Sequence, residues 1–248
     1  MKSERQENIL EILKEKRFAT VEFLAKTLYS SAPTIRRDLN EMEEKGFVKR
    51  SHGGAMIADT ENSPIPIDFR NRKNIYEKIG ICKKASQLIK ENSVIFIDGS
   101  TTTLHLADCV PQDKNITVVT NSLLVCARLC ERSITTHCTG GILVPSSKAF
   151  VGQRAENVIR DFCFDACFFS ASALNDQGKI TDYSDMETSL RKVMLENSKT
   201  KVFMCDHSKF AKTSSYNVTD LDNVDYLITD VAFDTKKSKV INIEAAAK

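Results

Sequence analysis

Apolar positions in the first fifty residues recur at helical spacing and predict three short helices, the third over residues 31–46. Thr20 and Ser31 are suited to cap the second and third helices, and Pro33 falls in a first turn, where its missing N–H costs little. A strand at 47–50 and a Gly-Gly turn follow. The positions expected to face the core are Ile9, Leu10, Ile12, Leu13, Val21, Leu24, Ala25, Leu28, Ile35, Leu39 and Met42. This order predicts a winged helix-turn-helix.

Beyond residue 73 the pattern changes to short apolar strands that alternate with helices. The predicted strands are 94–97, 116–120, 134–138, 166–170, 202–205 and 226–228. The predicted helices are 75–89, 102–109, 123–130 and 186–197. Such alternation requires crossover connections and favours a mostly parallel sheet covered on both faces. The predicted organisation is a winged helix-turn-helix domain over 1–58, a linker over 59–72 and an α/β domain over 73–248.

Composition is that of a globular protein. The chain has 248 residues, of which 42% are hydrophobic and 27% charged, so disorder and coiled-coil architectures are poor explanations. It has no run of about 18 apolar residues that could span a membrane, and its N-terminus lacks the apolar stretch of a secretory signal. A soluble cytoplasmic protein is therefore expected.

The eight cysteines include no C-x-x-C pair, and most have apolar neighbours. Cys126 and Cys130 are four residues apart and could share a helix face, but no histidine nearby in sequence completes a zinc set. Free cysteine in a reducing cytosol behaves as a small hydrophobe. We expect no metal and no other cofactor.

Charge is uneven along the chain. Residues 1–58 hold 11 of the 35 Lys and Arg but only 9 of the 33 Asp and Glu, and the remainder balances to zero. The small net charge of +2 therefore lies in the N-terminal quarter, which ends in a locally basic segment. This distribution is compatible with a polyanionic partner.

Segment 31–52 carries the side chains that a DNA-reading helix needs. Such a helix presents polar or basic residues early on its exposed face, because its first turns meet the bases in the major groove. Ser31, Thr34, Arg36 and Arg37 occupy these positions, and arginine can bind guanine through two hydrogen bonds. The wing residues expected to contact backbone phosphate are Lys49, Arg50 and His52.

Composition alone leaves a second interpretation open, in which Arg36 and Arg37 cover a solvated helix and pair with Asp38 or Glu41. Residues 3–57, however, resemble the helix-turn-helix of the DeoR-type family of bacterial repressors of sugar metabolism. The matching residues are Ser31, the string TIRRDL at 34–39, Gly46, Arg50 and His52-Gly53-Gly54-Ala55. Ser30 stands where the family usually has valine. The resemblance implies double-stranded DNA as a partner.

Polar segments follow four of the predicted strands. Residues 98–103 read Asp-Gly-Ser-Thr-Thr-Thr, and 120–122, 140–141 and 206–210 follow three further strand ends. Ligands of open α/β sheets bind outside the carboxyl ends of the strands, where backbone N–H groups can hold a phosphate. Taken singly, Ser and Thr at such places are more often helix caps, and Lys209 could be a solvated surface lysine. Their recurrence favours a ligand site.

Residues from about 73 to 230 resemble the sensor domain of the same family, on the strings DGSTTT, VVTNSL, Gly140-Gly141, DHSKF and the late ITD. That domain is similar in fold to ribose-5-phosphate isomerase and binds phosphorylated sugars. The resemblance implies an effector site formed by Asp98, Ser100, Thr101, Thr102, Asn121, Gly140 and Lys209. Glu187, Arg191 and Lys192 are secondary candidates for the same pocket. Many relatives carry a glycine in the segment that here reads Ser170-Ala171-Ser172-Ala173-Leu174, so the effector's identity stays open.

The function expected from these patterns is a repressor of a carbohydrate-metabolism operon, released from its operator by a phosphorylated sugar, and a homodimer or homotetramer. One alternative is a sugar-phosphate isomerase-like enzyme with an accessory DNA-binding arm. An isomerase needs a positioned acid and base, which Asp98, Lys209 or His207 would have to supply, and only Asp176 stands for the isomerase family's acidic segment. A second alternative is an architectural DNA binder whose sensor domain binds nothing. We expect a regulator and no enzyme.

Overall fold

The computed structural model describes residues 3–16, 18–45, 47–51, 53–57, 67–233 and 239–242. The chain divides into two compact units, Met1–Ile65 and Pro66–Lys248. Of the linker predicted over 59–72, residues 59–66 lie outside the described part. Its remainder forms helix α4, Ile67–Arg72.

The first unit is built of three helices and a small sheet. The helices are α1 (Ser3–Lys16), α2 (Val21–Thr27) and α3 (Ala32–Glu44). The strands are β1 (Phe18–Thr20), β2 (Val48–Ser51) and β3 (Gly54–Ile57). The central strand β3 pairs antiparallel with both others. The predicted helices and the first wing strand are confirmed, whereas β1 and β3 were not predicted.

The predicted caps of this unit are present, and so is most of its predicted core, whereas Ile12, Ala25 and Leu28 are only half-buried. Thr20 Oγ1 accepts a hydrogen bond from Phe23 N at 3.1 Å, and Ser31 Oγ accepts one from Thr34 N at 3.3 Å. Each bond satisfies one of the free N–H groups of a helix start. The fully buried core residues include Ile9, Leu13, Leu24, Ile35, Leu39 and Met42. Gly46, where we predicted the end of the third helix, lies outside the described residues.

The second unit is an α/β domain. After α4 its helices are α5 (Ile75–Ala85), α6 (Thr101–Leu104), α7 (Leu123–Glu131), α8 (Gln153–Arg160) and α9 (Asp185–Glu196). The strands of its main sheet are β4 (Val94–Ile97), β5 (Thr117–Thr120), β6 (Thr135–Cys138), β9 (Phe164–Phe169), β12 (Ser198–Met204), β14 (Tyr226–Thr229) and β15 (Lys239–Asn242). A hairpin is formed by β7 (Ile142–Val144) and β8 (Ala149–Val151), and a small antiparallel sheet by β10 (Ala173–Leu174), β11 (Lys179–Asp182) and β13 (Tyr216–Asp220).

The main sheet has the order β15-β14-β12-β9-β4-β5-β6, and every neighbouring pair in it is parallel. One face packs against α5, α6 and α7, and the other against α8 and α9, so each face has its own apolar core. The predicted mostly parallel α/β fold, with all six predicted strands, is confirmed. The chain leaves β4 in one direction for β5 and β6 and later returns on its other side with β9. Ligands of such sheets bind at this reversal of strand order.

The described helices include none that is long and apolar enough to cross a membrane.

Candidate nucleic-acid interface and ligand site

The helix-turn-helix of the first unit is formed by α2, a turn at Leu28–Ser31 and α3. Tyr29 adopts a left-handed conformation with φ 48° in this turn, and Ser30 N donates to Ala25 O at 2.9 Å. The hydroxyls of Ser31 and Thr34 are 2.8 Å apart, and Ser31 also caps α3. Ser31 is thus occupied in holding the first turn of α3. Thr34 stands in that turn, where a reading helix approaches the bases.

The two arginines of α3 are exposed. Among the described residues, the carboxylate that lies near Arg36 is that of Glu22 of α2, at 3.9 Å. Both side chains are more than half exposed. Arg37 makes no hydrogen bond or ion pair with any described residue. Exposed pairs of this kind contribute little stability. Both guanidinium groups are therefore free to contact an external partner.

The acidic neighbours that could have neutralised these arginines are used elsewhere. Asp38 is buried and accepts two hydrogen bonds from Arg5 of α1, and its hydrogen bond raises the pKa of Arg5. Glu41 accepts from Lys45 at 2.7 Å and from Gln6 at 3.3 Å. The second interpretation of the sequence required Arg36 or Arg37 to pair with Asp38 or Glu41. The contacts between described residues include no such pair.

The wing contributes further basic residues. Lys49 is exposed on β2. Arg50 is half-buried; its guanidinium donates to Asn40 Oδ1 of α3, and its backbone N–H donates to Glu43 Oε1 at 2.7 Å. Strand β2 is thereby fixed beside α3. His52, the third predicted wing contact, lies outside the described residues.

In the second unit Asp98 follows β4 at the reversal of strand order. It is 1% exposed and accepts four hydrogen bonds. Its donors are Ser100 N at 3.1 Å, Thr103 Oγ1 at 2.7 Å, Ser170 N at 3.4 Å and Arg191 Nε at 3.0 Å. Asp98 therefore shapes the loop after β4 and ties it to the end of β9 and to α9.

The hydroxyl residues after Asp98 are buried in this loop. Ser100 Oγ accepts from Thr103 N at 3.2 Å, as a helix cap does, and lies 2.7 Å from Thr103 Oγ1. Thr101 and Thr102 are 6% and 1% exposed, and the backbone carbonyl of Thr102 accepts from the Cys82 thiol at 3.0 Å. Ser100 thus acts as a helix cap, the more common role of a serine or threonine that follows a strand. Any ligand contact made by these residues comes mainly from their backbone.

Arg191 of α9 is the centre of a buried ion cluster. Its guanidinium contacts Asp98 at 3.0 Å, Asp182 at 2.9 Å and Glu187 at 3.2 Å, and all four side chains are at most 7% exposed. Burial lowers the pKa of Arg191, but the three carboxylates outweigh it and the net shift is upward. Glu187 and Arg191, the secondary candidates, are therefore joined to Asp98, whereas Lys192 is exposed on α9. Asp182 was missed in the sequence.

Asn121 and Gly140 lie at the ends of β5 and β6. Asn121 Nδ2 donates to Phe150 O at 3.1 Å, whereas its buried Oδ1 has no partner among the described residues. Gly140 has φ +62°, and a Cβ built on it would meet nothing within 4 Å. A buried acceptor without a partner is costly unless a ligand or water satisfies it. These residues leave polar groups and open space at the carboxyl edge of the sheet.

Lys209 lies in the 3₁₀ turn after β12, beside a second lysine that the sequence analysis missed. Burial lowers the pKa of Lys209, and its ammonium makes no hydrogen bond or ion pair with a described residue. Lys78 of α5 is 3% exposed; its ammonium donates to Arg70 O, and burial lowers its pKa to about 8. Among the carboxylates, Asp206 raises the pKa of both lysines the most. It already accepts hydrogen bonds from Asn74 Nδ2 at 2.6 Å and from Ser208 N at 3.0 Å.

Lys78, Lys209 and Arg70 interact electrostatically with one another, and we call them the basic cluster. Lys78 is buried, whereas Lys209 and Arg70 are half-buried. An anion beside such a group would offset the cost of holding cations together away from water. Lys78 lies outside the strand-end motifs. The sequence shows it only as a lysine on the apolar face of a predicted helix. The cluster thus places Lys209 beside two further cations.

The groups that an isomerase would need are held in other contacts. Asp98 is saturated with hydrogen bonds and paired with Arg191. His207 Nδ1 lies 2.6 Å from Asp230 Oδ2, and this bond raises the pKa of His207. Asp176 is exposed in the turn between β10 and β11. The carboxylate beside the basic cluster is that of Asp206, which is buried and accepts hydrogen bonds from Asn74 and Ser208.

Two protein-family models match the chain. The model of the DeoR-like helix-turn-helix domain matches residues 5–61, and that of the DeoR C terminal sensor domain matches residues 73–231. Together they cover most of both units and the site residues described above except Arg70.

Curated relatives align over nearly the whole chain. The HTH-type transcriptional regulator GolR of Listeria innocua is 34% identical over 92% of this chain and 90% of its own length. The HTH-type transcriptional regulator GlpR of Haloferax volcanii is 32% identical over 96% and 94%. The L-fucose operon activator of Haemophilus influenzae is 34% identical over 91% of each chain. Among solved structures, ribose 5-phosphate isomerase A of Methanocaldococcus jannaschii aligns over 56% of this chain and 55% of its own, with 14% identity and a TM-score of 0.43. The sequence matches, and not this distant likeness, decide the family.

Proposed function

The chain belongs to the DeoR family of DNA-binding transcriptional regulators, and from this premise we propose that it is a repressor of a carbohydrate-metabolism operon that a phosphorylated sugar releases from its operator. The named relatives are transcriptional regulators, so the chain is a regulator and not an enzyme. Domain limits of 1–58 and 73–248, joined by a linker over 59–72, belong to the same proposal.

The observation that supports operator recognition is that the guanidinium groups of Arg36 and Arg37 are available for an external contact. Both are exposed on α3, and their nearest acids, Asp38 and Glu41, are bonded to other residues. We assign base reading to Thr34, Arg36 and Arg37, and we assign backbone contacts to Ser31, Lys49, Arg50 and His52. A guanidinium bound to guanine discriminates between bases, whereas a lysine at a phosphate contributes mainly affinity that salt weakens.

The test begins with duplexes selected from a random pool by the full-length protein, followed by anisotropy titrations. Arg36→Ala and Arg37→Ala should each cost about 1–3 kcal/mol on the selected duplex and lose preference at one base pair. Lys49→Ala should weaken selected and random duplexes alike and reduce the salt slope by about one. Lys90→Ala, an exposed lysine of the α/β unit, is the control. Unchanged affinity in both arginine variants would refute the assignment.

The observation that carries the effector site is the half-buried Lys209, whose ammonium has no hydrogen-bonding partner in the described part of the chain. We assign the phosphate group to Lys209, the other members of the basic cluster and the backbone after β4. The sugar is assigned to Asn121 and Gly140, where a buried amide oxygen has no partner and space is open. Asp98, Ser100, Thr101 and Thr102 hold the backbone of this site in shape.

Calorimetry and thermal shift with a panel of sugar phosphates and the same sugars without phosphate test this site. Phosphorylated members should bind and raise the melting temperature, and Lys209→Met should weaken binding at least tenfold because it removes the unpaired cation. Lys212→Met is the matched control, since Lys212 is exposed and its ammonium donates to Ser208 O at 2.6 Å. Equal binding of sugars with and without phosphate would contradict the proposal. Turnover of any sugar phosphate would revive the isomerase alternative.

We further propose a cytoplasmic homodimer or homotetramer. Helix-turn-helix proteins commonly bind two half-sites with two copies of the reading helix. Light scattering at micromolar concentration tests this, and a monomer bound to a single half-site would contradict it.

A further inference from the structure

Helix α4 is the element of the α/β unit that lies nearest in sequence to the first unit. It begins at Ile67, ten residues after the last residue of β3, Ile57. Ile67 is 1% exposed, and its backbone N–H donates to Ser146 O at 2.7 Å. The helix also packs against α6, which follows the loop after β4. Helix α4 is therefore held by the α/β unit, although it adjoins the chain that leads back to the first unit.

Arg70 joins α4 to the other members of the basic cluster. It is half-buried, and its backbone carbonyl accepts a hydrogen bond from Lys78 Nζ. Its guanidinium lies over the ring of Tyr183, with Cζ 5.9 Å from the ring centroid. Burial lowers the pKa of Lys78 and of Lys209, and the charge of Arg70 lowers both further. An anion bound by these two lysines would therefore lie beside α4.

The turn after α4 is attached to the same site. Asn74 adopts a left-handed conformation with φ 53° between α4 and α5, and its backbone carbonyl accepts from Lys78 N at 3.0 Å. Its Nδ2 donates to Asp206 Oδ1 at 2.6 Å. Asp206 lies after β12 and begins the turn that holds Lys209. Helix α4 and the turn that follows it are thus both fastened to the candidate anion site.

Tyr183, the aromatic partner of Arg70, is itself fixed in place. It follows β11, and its backbone N–H donates to Asp182 Oδ1 at 2.7 Å. Asp182 is one of the three carboxylates paired with Arg191. The Tyr183 hydroxyl is buried and has no hydrogen-bonding partner among the described residues, so water or a ligand must satisfy it. The ring therefore offers the Arg70 guanidinium a fixed surface, and the same side chain carries a polar group that still lacks a partner.

From these contacts we propose that Arg70 couples the anion site to the first unit. In the ligand-free protein its guanidinium lies over Tyr183, and a phosphate held by Lys78 and Lys209 draws it into a bidentate contact. Such a charge-assisted pair is stronger than the contact of a cation with an aromatic ring. The exchange shifts α4 and with it the start of the chain that leads to the DNA-reading helix. This inference rests on the effector site proposed above and adds how that site is linked to DNA binding.

Arg70 is the member of the basic cluster suited to this role. Lys78 lies on α5 and Lys209 in the turn after β12, whereas Arg70 lies on the helix that adjoins the first unit in sequence. The two states differ in their affinity for phosphate because only one of them presents Arg70 to it. A ligand can shift an equilibrium only through such a difference in affinity.

Hydrogen exchange of the full-length protein tests the coupling, with saturating inorganic phosphate as the probe and chloride at equal ionic strength as the reference. In the wild type, phosphate should slow exchange in the turn over 206–210 and in α4 by about threefold or more, because added ion pairs oppose local opening. Arg70→Met should keep the protection of the turn, since Lys78 and Lys209 remain, but lose that of α4. Arg160→Met, which removes a half-exposed arginine of α8, is the matched control and should respond as the wild type does.

The same variants are then titrated onto the selected duplex by anisotropy, with and without each sugar phosphate of the panel that binds. The ratio of the two dissociation constants within one variant is the coupling factor, so a change in operator affinity itself cancels. We expect a factor of about 5 to 150 for the wild type and for Arg160→Met, and less than about 2 for Arg70→Met, at saturating sugar phosphate.

Urea unfolding of Arg70→Met verifies that the fold is kept, and Tyr183→Leu is a second variant that leaves the arginine in place. It removes the ring that holds Arg70, so exchange of α4 in the phosphate-free protein should rise, and an unchanged rate would contradict the proposed exchange of partners. A wild type that phosphate protects at neither place would refute the anion site and this inference with it. Protection of the turn over 206–210 without any change in α4, or a coupling factor that Arg70→Met leaves intact, would overturn this inference alone.

Discussion

At the scale of single residues, Gly54 in β3 is packed too tightly for any side chain. A Cβ at this position would lie 2.7 Å from Phe18 Cζ and closer still to the backbone carbonyl of Ala19. Gly54→Ala should therefore push β1 away from the wing and destabilise the first unit by about 1–3 kcal/mol. Hydrogen exchange of the full-length protein should show faster exchange in β1 and β3. Gly53→Asn is the control, because Gly53 has φ +78° and open space, and asparagine tolerates that conformation.

Lys78 should give the proposed anion site a pH signature. Its pKa of about 8 results from burial, with Lys209 and Arg70 lowering it further and Asp206 and Cys82 opposing them. An anion bound beside Lys78 favours its charged form and raises this pKa, so binding at pH 8.5 should take up protons and affinity should fall as pH rises through 8. Sulfate is the probe, since it does not titrate in this range.

Calorimetry in two buffers of different ionisation enthalpy measures that uptake. Lys78→Met should abolish the uptake, whereas Lys212→Met should preserve it. Proton uptake that persists in Lys78→Met would assign the signature to another group.

The candidate site residues that the sequence offered were those within motifs. Asp98 and Asn121 directly follow β4 and β5, and Gly140 and Lys209 lie in the loops after β6 and β12, so these positions can be read from the chain. Lys78 and Asp182 could not be found in this way, since their role depends on contacts across the fold. The Arg191–Asp98 ion pair, for example, joins residues 93 positions apart. A single sequence contains no record of such pairings.

At the scale of elements, Arg191 fastens α9 to the ends of β4 and β11. Its removal leaves Asp98, Asp182 and Glu187 buried together without a cation, and breaking a buried ion pair typically costs about 3–5 kcal/mol. Arg191→Met should therefore reduce the free energy of unfolding at pH 7 by this amount, and urea unfolding should show a lower midpoint.

Arg160→Met on α8 is the matched control. Arg160 also contacts a glutamate four residues away, Glu156 at 3.4 Å, but its side chain is 46% exposed. Its loss should cost less than about 1 kcal/mol. Equal destabilisation by the two variants would show that the Arg191 cluster has no special role.

Elements with a strong apolar pattern were predictable, and weakly patterned ones were not. Strands β4 and β9 are nearly continuous apolar runs, and β12 ends in one, because helices cover both faces of the sheet. Helix α8 was missed since only Ala155 and Ile159 face the apolar core, and the remaining residues of α8 are largely polar. The two- to five-residue strands of the small sheet and of the β7–β8 hairpin are too short to show alternation. They exist through pairing with distant partners, which local sequence does not specify.

At the scale of the whole molecule, the operator should reflect the oligomer. A two-fold dimer presents two copies of α3, so the selected duplex should contain inverted half-sites about 10 base pairs apart, centre to centre. Footprinting and anisotropy with duplexes whose spacing is changed by five base pairs test this. Affinity should fall sharply, because half a helical turn places the second half-site on the opposite face of the DNA. Equal binding to both spacings would contradict a fixed two-fold dimer.

Control by a ligand requires coupling between the two binding sites, and thermodynamics makes that coupling reciprocal. If a sugar phosphate weakens DNA binding by some factor, bound DNA must weaken sugar-phosphate binding by the same factor, typically about 5- to 150-fold. Anisotropy at saturating ligand and calorimetry of the DNA-saturated protein measure the two factors independently, and Lys212→Met should change neither. A ligand that binds equally well with and without DNA would occupy the basic cluster without acting as an effector. The regulated function would then have to be controlled elsewhere, since a ligand with no preference between two states cannot shift their populations.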